Sequence, residues 1–292
     1  MSEILTGIKM VSSKPRNSLL CPNCRKLIGR SVERCPYCDL RNPGSSWRNT
    51  FLAPRFFRDE QLVRTLIYAN IAMFLVSIIF DPRRAGFDFS PFNFLSPSNA
   101  SLLLFGSTGA VPVFQLDRWW SLLSANYLHG SLLHIVFNML ALNQLGPLVL
   151  REYGSSRMIA IYTLGGVCGY ILSALVGIRF TIGASAAVCS LIGAMLFYGK
   201  NRGGAIGQAI FRQIGGWAIG IAIFGFMVPG INNWGHGGGM AAGALLGYLL
   251  GYQERRRETL THKYLAMGCL AATFVTLIWA CASGLLFLFV RG

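Results

Sequence analysis

Residues 232–251 read NNWGHGGGMAAGALLGYLLG, and this stretch sets the architecture that we expect for the chain. Glycine recurs at every fourth position, at Gly239, Gly243, Gly247 and Gly251. In an apolar helix this spacing leaves one face without side chains, and a second helix packs closely against such a face. The stretch therefore predicts a tightly paired helix within a bundle of apolar helices.

The partner that we expect for this face lies in residues 181–198, which read TIGASAAVCSLIGAMLFY. Its small residues are Ala186, Ala187, Ser190, Gly193 and Ala194. His236 lies three positions before Gly239 and points to the same side of its helix, so this packing would bring His236 level with Ser185. Such a placement permits a Ser–His pair, although a glycine face can also serve helix packing alone.

Gly183, Ala184 and Ser185 form a turn of small residues directly before the start of that helix. The first N–H groups and the positive end of the helix then point at one place, which suits an oxyanion. At about 1.5 Å per residue, the helix from Ser185 to Tyr198 is about 21 Å long, against a hydrocarbon core of about 30 Å. Ser185 should therefore lie about 10 Å below the outer surface, in a polar cavity that opens outward, because irregular backbone at that depth needs protein or water beside it.

The composition excludes an ordinary soluble enzyme. Of the 292 residues, 53% are hydrophobic and 13% are charged, and this charged fraction is about half of that usual in soluble domains. Long apolar segments follow one another from Leu62 onward, and we predict seven membrane spans. They lie at about 62–80, 130–150, 157–178, 185–199, 213–229, 236–252 and 265–290. The predicted fold class is an all-α polytopic membrane protein.

The basic residues predict how the chain is oriented in the membrane. The 26 Lys and Arg against 11 Asp and Glu give a net charge of +15, which in a soluble protein would suggest a nucleic-acid partner. With residues 1–61 inside and the spans alternating, 21 of the 26 fall inside and 5 outside. Because basic residues stay on the cytoplasmic side, we expect the N-terminus inside, the C-terminus outside, and the lipid bilayer rather than nucleic acid as partner. No signal peptide or transit-like leader is visible, which favours the cytoplasmic (inner) membrane of a bacterium.

Four of the eight cysteines form a separate module near the N-terminus. Cys21 and Cys24 belong to one CPxC motif, and Cys35 and Cys38 belong to a second. Paired CxxC turns supply four thiolates to a tetrahedral Zn²⁺ ion, and thiols inside the cell stay reduced. We therefore predict a structural zinc ribbon, with unligated or redox-active turns as the alternative. Such a ribbon could bind a cytoplasmic protein partner.

The predicted domains are a tail at 1–20, the ribbon at 21–38, a linker at 39–61, a six-helix core at 62–252, and a basic inside loop with the seventh helix at 253–292. The core contains a large outside loop at 81–118, which is too apolar for a plain linker. Loops of this length are usually functional or partly structured. Its Phe and Trp residues favour a position in the membrane interface.

Ionisable residues are scarce within the predicted spans, where burying them is costly. No Asp or Glu falls inside any span, and we find no inverted repeats, so a transporter or channel is poorly supported. The remaining polar residues are His129, His134 and Asn138 around the start of the second span, and His236 at the start of the sixth. His134 and Asn138 lie four residues apart and share one helix face.

These features resemble the rhomboid family of intramembrane serine proteases across roughly Leu62–Gly251. The resemblance rests on the large first outside loop, Trp120, the pattern His129…His134-x3-Asn138, Gly183-Ala184-Ser185, and His236 in a glycine-rich sixth span. An extra helix after the six-helix core also occurs in the family. The resemblance places His129 and Gly183 near the site.

The resemblance also implies a role for each reacting residue. Ser185 would be the nucleophile and His236 its general base, in a dyad that has no acid. His134, Asn138 and the backbone N–H of Ser185 would form the oxyanion hole. Catalysis would then need no cofactor.

Three positions depart from the family pattern. Ala186 follows the nucleophile where Gly is common, and Ser121 follows Trp120 where Arg is common. Cys189 stands where an aromatic ring often supports the histidine. None of these departures removes a reacting group, so they bear on rate rather than on activity.

The resemblance implies an intramembrane serine endopeptidase that cleaves the helices of single-span or polytopic membrane proteins near their outer ends. The alternative is a rhomboid-like membrane client binder or degradation adaptor without catalysis. Such proteins typically lose the serine or the histidine, and this chain has both Ser185 and His236.

Overall fold

The structure is a computed structural model that describes residues 17–21, 26–37, 40–44, 59–80, 86–87, 94–255 and 257–291. The chain divides into two compact units, Met1–Phe56 and Phe57–Gly292. This division falls within the stretch 39–61 that the sequence predicts as a linker.

The described part of the first unit contains two antiparallel pairings. Strands β1 (Ser18–Leu20) and β2 (Leu27–Gly29) pair with each other, on either side of the first CPxC motif in the sequence. Arg34 and Arg41 form an isolated antiparallel bridge, on either side of the second motif in the sequence.

Seven long helices make up most of the described part of the second unit. They are α1 (Asp59–Ile79), α2 (Leu132–Tyr153), α3 (Ser155–Leu175), α4 (Ser185–Arg202), α5 (Gly204–Met227), α6 (Asn233–Leu250) and α7 (Leu260–Arg291). Each overlaps one predicted span. The largest difference is at α5, which begins at Gly204 rather than near 213. Arg212 interrupts the apolar residues within this helix, so the apolar run alone predicted a later start. A long arginine side chain can still reach the membrane surface from a helix.

Five of the described helices are long and apolar enough to cross a membrane, which confirms an integral, multi-pass protein. They are α1 over Gln61–Ile79, α2, α3, α5, and α7 over Leu260–Leu286. The helices α4 and α6 have 18 residues each and fall short of this standard, so the number of seven spans stays a prediction. All residues of α4 from Ala186 to Met195 are buried, mainly against α6, α3 and α5. Protein rather than lipid therefore surrounds this helix.

A very close contact joins α4 to α6 through the glycines of α6. A Cβ atom at Gly239 would overlap the carbonyl oxygen of Ala186, and one at Gly243 would overlap the carbonyl oxygen of Ser190. The packing expected from the fourfold glycine spacing is therefore present. Because backbone atoms fill the space, a larger residue at either position would force the two helices apart.

The described part of the first outside loop is structured. Strand β3 (Gly86–Phe87) pairs with β4 (Phe94–Ser96), a short helix covers Asn99–Leu104, and a π-helical turn covers Val111–Gln115. Phe105 is buried, and its ring centroid lies 4.9 Å from that of Phe80, just beyond α1. The loop is thus anchored on the helices, while its place in the membrane interface stays a prediction.

Candidate active site

The turn before α4 is held from both sides. The Gly183 N–H donates to the Ala125 carbonyl at 2.9 Å, and the Tyr170 hydroxyl donates to the Gly183 carbonyl. Gly183 has a φ of +125°, and a Cβ atom there would lie 2.7 Å from Nε2 of His134. Glycine is therefore required by both the conformation and the space. The turn delivers Ser185 as the first residue of α4, where backbone N–H groups have no partner within the helix.

His236 lies in the first turn of α6, where its backbone N–H donates to the Asn232 carbonyl at 3.1 Å. Three residues later Gly239 packs on the carbonyl of Ala186, the residue after Ser185. The two helices are therefore in register at the site. Nδ1 of His236 is buried and has no hydrogen-bond partner among the described residues. No carboxylate in this part of the chain orients the ring, unlike the aspartate of a Ser–His–Asp triad.

His134 and Asn138 project from the first turns of α2. Ser131 caps this helix, since its Oγ accepts from the His134 N–H at 3.3 Å. The Gly130 N–H donates to Nδ1 of His134 at 3.3 Å, so the neutral ring carries its proton on Nε2. Asn138 donates from Nδ2 to the His134 carbonyl at 2.9 Å, and its amide has a second hydrogen to offer. Both side chains can therefore donate an N–H to a bound oxygen.

Four of the predicted site residues line one cavity, whose volume is about 740 Å³. They are Ser185, His236, His134 and Asn138. The apolar walls include Phe180, Ile221, Phe224 and Met227. A largely apolar pocket with a few converging polar groups is the usual form of a binding or active site. The structure thus brings together residues from α2, α4 and α6.

His129 supports the site from behind the cavity wall. Its side chain is fully buried, and its Nε2 accepts from the Ala184 N–H at 3.5 Å. Its ring centroid lies 5.0 Å from that of His134, with the two rings edge to face. These contacts hold the turn that precedes Ser185, and His129 does not line the cavity.

Residues 116–253 match the family model of the Rhomboid domain. This stretch, somewhat less than half of the chain, is similar to rhomboid domains. All four cavity-lining site residues fall within it.

Several relatives of the chain carry rhomboid names. RHOMBOID-like protein 4 of Arabidopsis thaliana is 31% identical over 212 residues, which cover 65% of this chain and 52% of the relative. Rhomboid protease GluP of Bacillus subtilis (strain 168) is 36% identical over 161 residues, which cover 53% and 31%. RHOMBOID-like protein 6, mitochondrial, of Arabidopsis thaliana is 29% identical over 231 residues, which cover 68% and 73%. The chain spans about half the length of several curated relatives that it matches.

One departure from the family pattern is accommodated at the start of the matched stretch 116–253. Ser121 is buried and donates from Oγ to Oγ1 of Thr108 at 3.0 Å. Arg118, three positions earlier, donates to the Leu103 carbonyl at 2.7 Å, and its guanidinium carbon lies 5.8 Å from the centroid of the Trp120 ring. Arg118, rather than an arginine directly after Trp120, therefore connects the first outside loop with the Trp120 ring. This contact could not be predicted from the sequence.

The other two departures lie in α4. Ala186 is buried beneath Gly239, where the two helix backbones meet. Cys189 is buried and lines the cavity one turn after Ser185. Neither residue displaces Ser185 or His236 from the cavity.

Asn232, which was not predicted as a site residue, lines the cavity and caps α6. Its Nδ2 donates to Oγ of Ser173 at 2.7 Å and to Oγ1 of Thr181 at 2.9 Å. The sequence offered one indication of its role, since Asn232 stands directly before a helix, where asparagine is favoured. This position predicts that Asn232 caps the helix. Its hydrogen bonds to Ser173 and Thr181 are visible only in the folded structure.

The first unit contains the predicted zinc ligands. Cys24 and Cys38 lie outside the described residues. Cys21 and Cys35 are both buried, and each donates its backbone N–H at 2.9 Å to the carbonyl five residues later. Among the residues that the structure describes, no group of three or more His, Cys, Asp and Glu is placed to hold a metal ion. The backbone N–H groups of the two described cysteines therefore make hydrogen bonds of the same sequence spacing.

Proposed function

We propose that the chain is an intramembrane serine endopeptidase that cleaves transmembrane helices near their outer ends. The observation that carries this proposal is the convergence of Ser185, His236, His134 and Asn138 on one cavity. The match to the Rhomboid domain model, and a relative named as a rhomboid protease, support the same conclusion.

In the proposed reaction, His236 takes the proton of Ser185 Oγ as this oxygen attacks a peptide carbonyl. A C–O bond forms, and N–H groups of His134, Asn138 and the Ser185 backbone hold the resulting oxyanion. Collapse breaks the peptide C–N bond, and His236 gives its proton to the leaving amine. A water molecule, deprotonated by His236, then attacks the ester. This step releases the second fragment as a carboxylic acid and returns the proton to Ser185.

The substrate helix in this proposal reaches the cavity between α2 and α5. Phe137 of α2 and Phe224 of α5 both line the cavity, and their ring centroids lie 6.3 Å apart. The two residues are 54% and 44% exposed on the outer surface of the bundle. Two phenyl side chains, rather than backbone, therefore separate the cavity from the surroundings at this point. Side chains can turn aside on binding far more easily than a helix can unfold.

A fluorophosphonate probe tests the proposed function. Such a probe reacts with a serine only when a neighbouring base activates it. We expect the folded chain in detergent to be labelled and the heat-denatured chain to remain unlabelled, with mass spectrometry placing the adduct on Ser185. A client binder without catalysis would not react. A folded chain that is neither labelled nor able to cleave a single-span protein would overturn the proposal.

The proposed orientation has the N-terminus in the cytoplasm and the C-terminus outside, in the inner membrane of a bacterium. Its support is the distribution of basic residues, of which 21 of 26 fall on one side. The first unit would then lie in the cytoplasm, and the cavity would open on the opposite side.

We also propose that the first unit binds one structural Zn²⁺ ion through Cys21, Cys24, Cys35 and Cys38. The pairing of residues around both motifs supports this, because Leu20 pairs with Leu27 and Arg34 pairs with Arg41. Both pairs enclose six residues in the sequence, so each pair of cysteines lies between partners of the same spacing. Two CxxC motifs of this kind would supply four thiolates to a tetrahedral ion. The ion would stabilise this unit and take no part in catalysis.

Metal analysis of the purified full chain tests the zinc proposal. We expect about one zinc per chain, and we expect Cys21→Ser to lose most of it, because metal binding and folding of such a unit are coupled. Cys168→Ser is the matched control, since Cys168 is exposed on α3 in the other unit and its loss should leave the zinc content unchanged. A wild-type chain with reduced thiols and no zinc would contradict the proposal, as would a Cys21→Ser variant with full zinc content.

A further inference from the structure

Asn232 stands at a junction of three segments beside the cavity. Its Nδ2 donates to Oγ of Ser173 on α3 at 2.7 Å and to Oγ1 of Thr181 at 2.9 Å. Its Oδ1 accepts from the Gly235 N–H at 2.9 Å, which caps α6. Both hydrogens and the oxygen of the side-chain amide are therefore used.

Two hydrogen bonds of Asn232 lead towards the proposed reacting groups, one from its side chain to Thr181 and one from its backbone carbonyl to His236. Thr181 lies four residues before Ser185, and its backbone pairs with Thr108 in both directions, at 2.7 and 3.0 Å. On the other side, the Asn232 carbonyl accepts from the His236 N–H at 3.1 Å. One residue thus links the segment that leads to the nucleophile with the helical turn that bears the base.

We propose that Asn232 is a positioning residue for the Ser185–His236 pair, an inference that rests on the proposed function. The packing of Gly239 on Ala186 fixes how closely α4 and α6 approach. The hydrogen bonds of Asn232 fix the start of α6, one turn nearer the outer end, where His236 must meet Ser185. A misplacement of about 1 Å can lower a rate by about 100-fold, so loss of this link acts on kcat rather than on KM.

The variant Asn232→Ser separates this role from simple helix capping. Serine is about as good as asparagine at the N-cap position, but its shorter side chain cannot also reach Ser173 and Thr181. We expect kcat for a single-span substrate to fall by about 100-fold, with KM changed by less than about threefold. The rate at which a fluorophosphonate probe labels Ser185 should fall in parallel with kcat.

The adjacent residue Asn233 provides a matched control. Its Nδ2 donates to the Gly225 carbonyl of α5 at 2.9 Å, so its hydrogen bond leads away from Ser185. Asn233→Ser removes a hydrogen bond of the same kind and should keep the wild-type kcat. Thr181→Val removes one of the two links to Asn232, and its kcat should lie between those of the wild type and Asn232→Ser.

The outcomes distinguish this inference from the proposed function. If Asn232→Ser is folded and cleaves as fast as the wild type, the positioning role is wrong and the proposed function stands. If both asparagine variants lose activity in proportion to a lower melting temperature, the cause is general destabilisation and the positioning role is again wrong. A wild-type chain that neither cleaves nor is labelled would overturn the proposed function and this inference together.

Discussion

The Ser185→Ala variant should fail to cleave a single-span membrane protein that the wild-type chain cleaves in detergent. Ser185 begins α4 and shares the cavity with His236. Alanine removes the attacking oxygen and leaves the proposed oxyanion donors in place. In a serine protease, loss of the nucleophile lowers kcat by about a millionfold, so no fragment should appear on a gel during a long incubation.

Ser190→Ala is the control for this experiment. Ser190 lies in the same helix and is fully buried, and its single hydroxyl hydrogen is shared between the Ile161 and Ala187 carbonyls, which lie 2.8 and 2.7 Å from Oγ. Losing this hydrogen bond costs about 1 kcal/mol and should leave most of the cleavage activity. Equal cleavage by the Ser185→Ala variant and the wild type would refute Ser185 as nucleophile. Loss of cleavage in both variants would indicate a folding defect instead.

Gly243→Ala should both destabilise the protein and abolish most cleavage. The added Cβ atom would overlap the carbonyl oxygen of Ser190, which belongs to the backbone of α4. Overpacking a core costs about 1–3 kcal/mol, and the upper end applies here because backbone must move. At about 2–4 °C per kcal/mol for a domain of this size, the melting temperature should fall by about 6–12 °C. The helices that carry Ser185 and His236 would also move apart.

Thermal melting followed by tryptophan fluorescence measures the effect of Gly243→Ala, and Gly220→Ala is its control. A Cβ atom at Gly220, in α5, would have no atom within 4 Å outside its own helix. Alanine is the better helix former by about 1 kcal/mol, so this variant should melt at the wild-type temperature or slightly above. A Gly243→Ala variant that melts like the wild type would show that α4 and α6 do not pack in this way.

The close packing of α6 against α4 could be predicted because the glycines that allow it all lie within one helix. Glycines at spacing four make a face without side chains, and a face of this kind has few ways to be buried. The same local logic placed His134 and Asn138 on one side of α2. In both cases the relevant residues lie within a few turns of each other in sequence.

The hydrogen bonds of Asn232 could not be predicted in this way. Asn232 lies 59 residues from Ser173 and 51 from Thr181, and no periodicity connects polar residues at such separations. Arg118 is a similar case, since its contact with the Leu103 carbonyl depends on how the first outside loop folds. Packing faces follow from local composition, whereas bridges between distant segments follow from the completed fold.

The two long helices that fall short of the composition of a membrane span are α4 and α6, which carry Ser185 and His236. Segments with few strongly apolar residues insert poorly on their own, so each depends on neighbouring helices that are already in place. During synthesis α4 emerges before α6 and lacks the helix that packs along its length. An unfinished chain therefore holds the serine without the histidine. The proposed active site is therefore complete only after α6 has been synthesised.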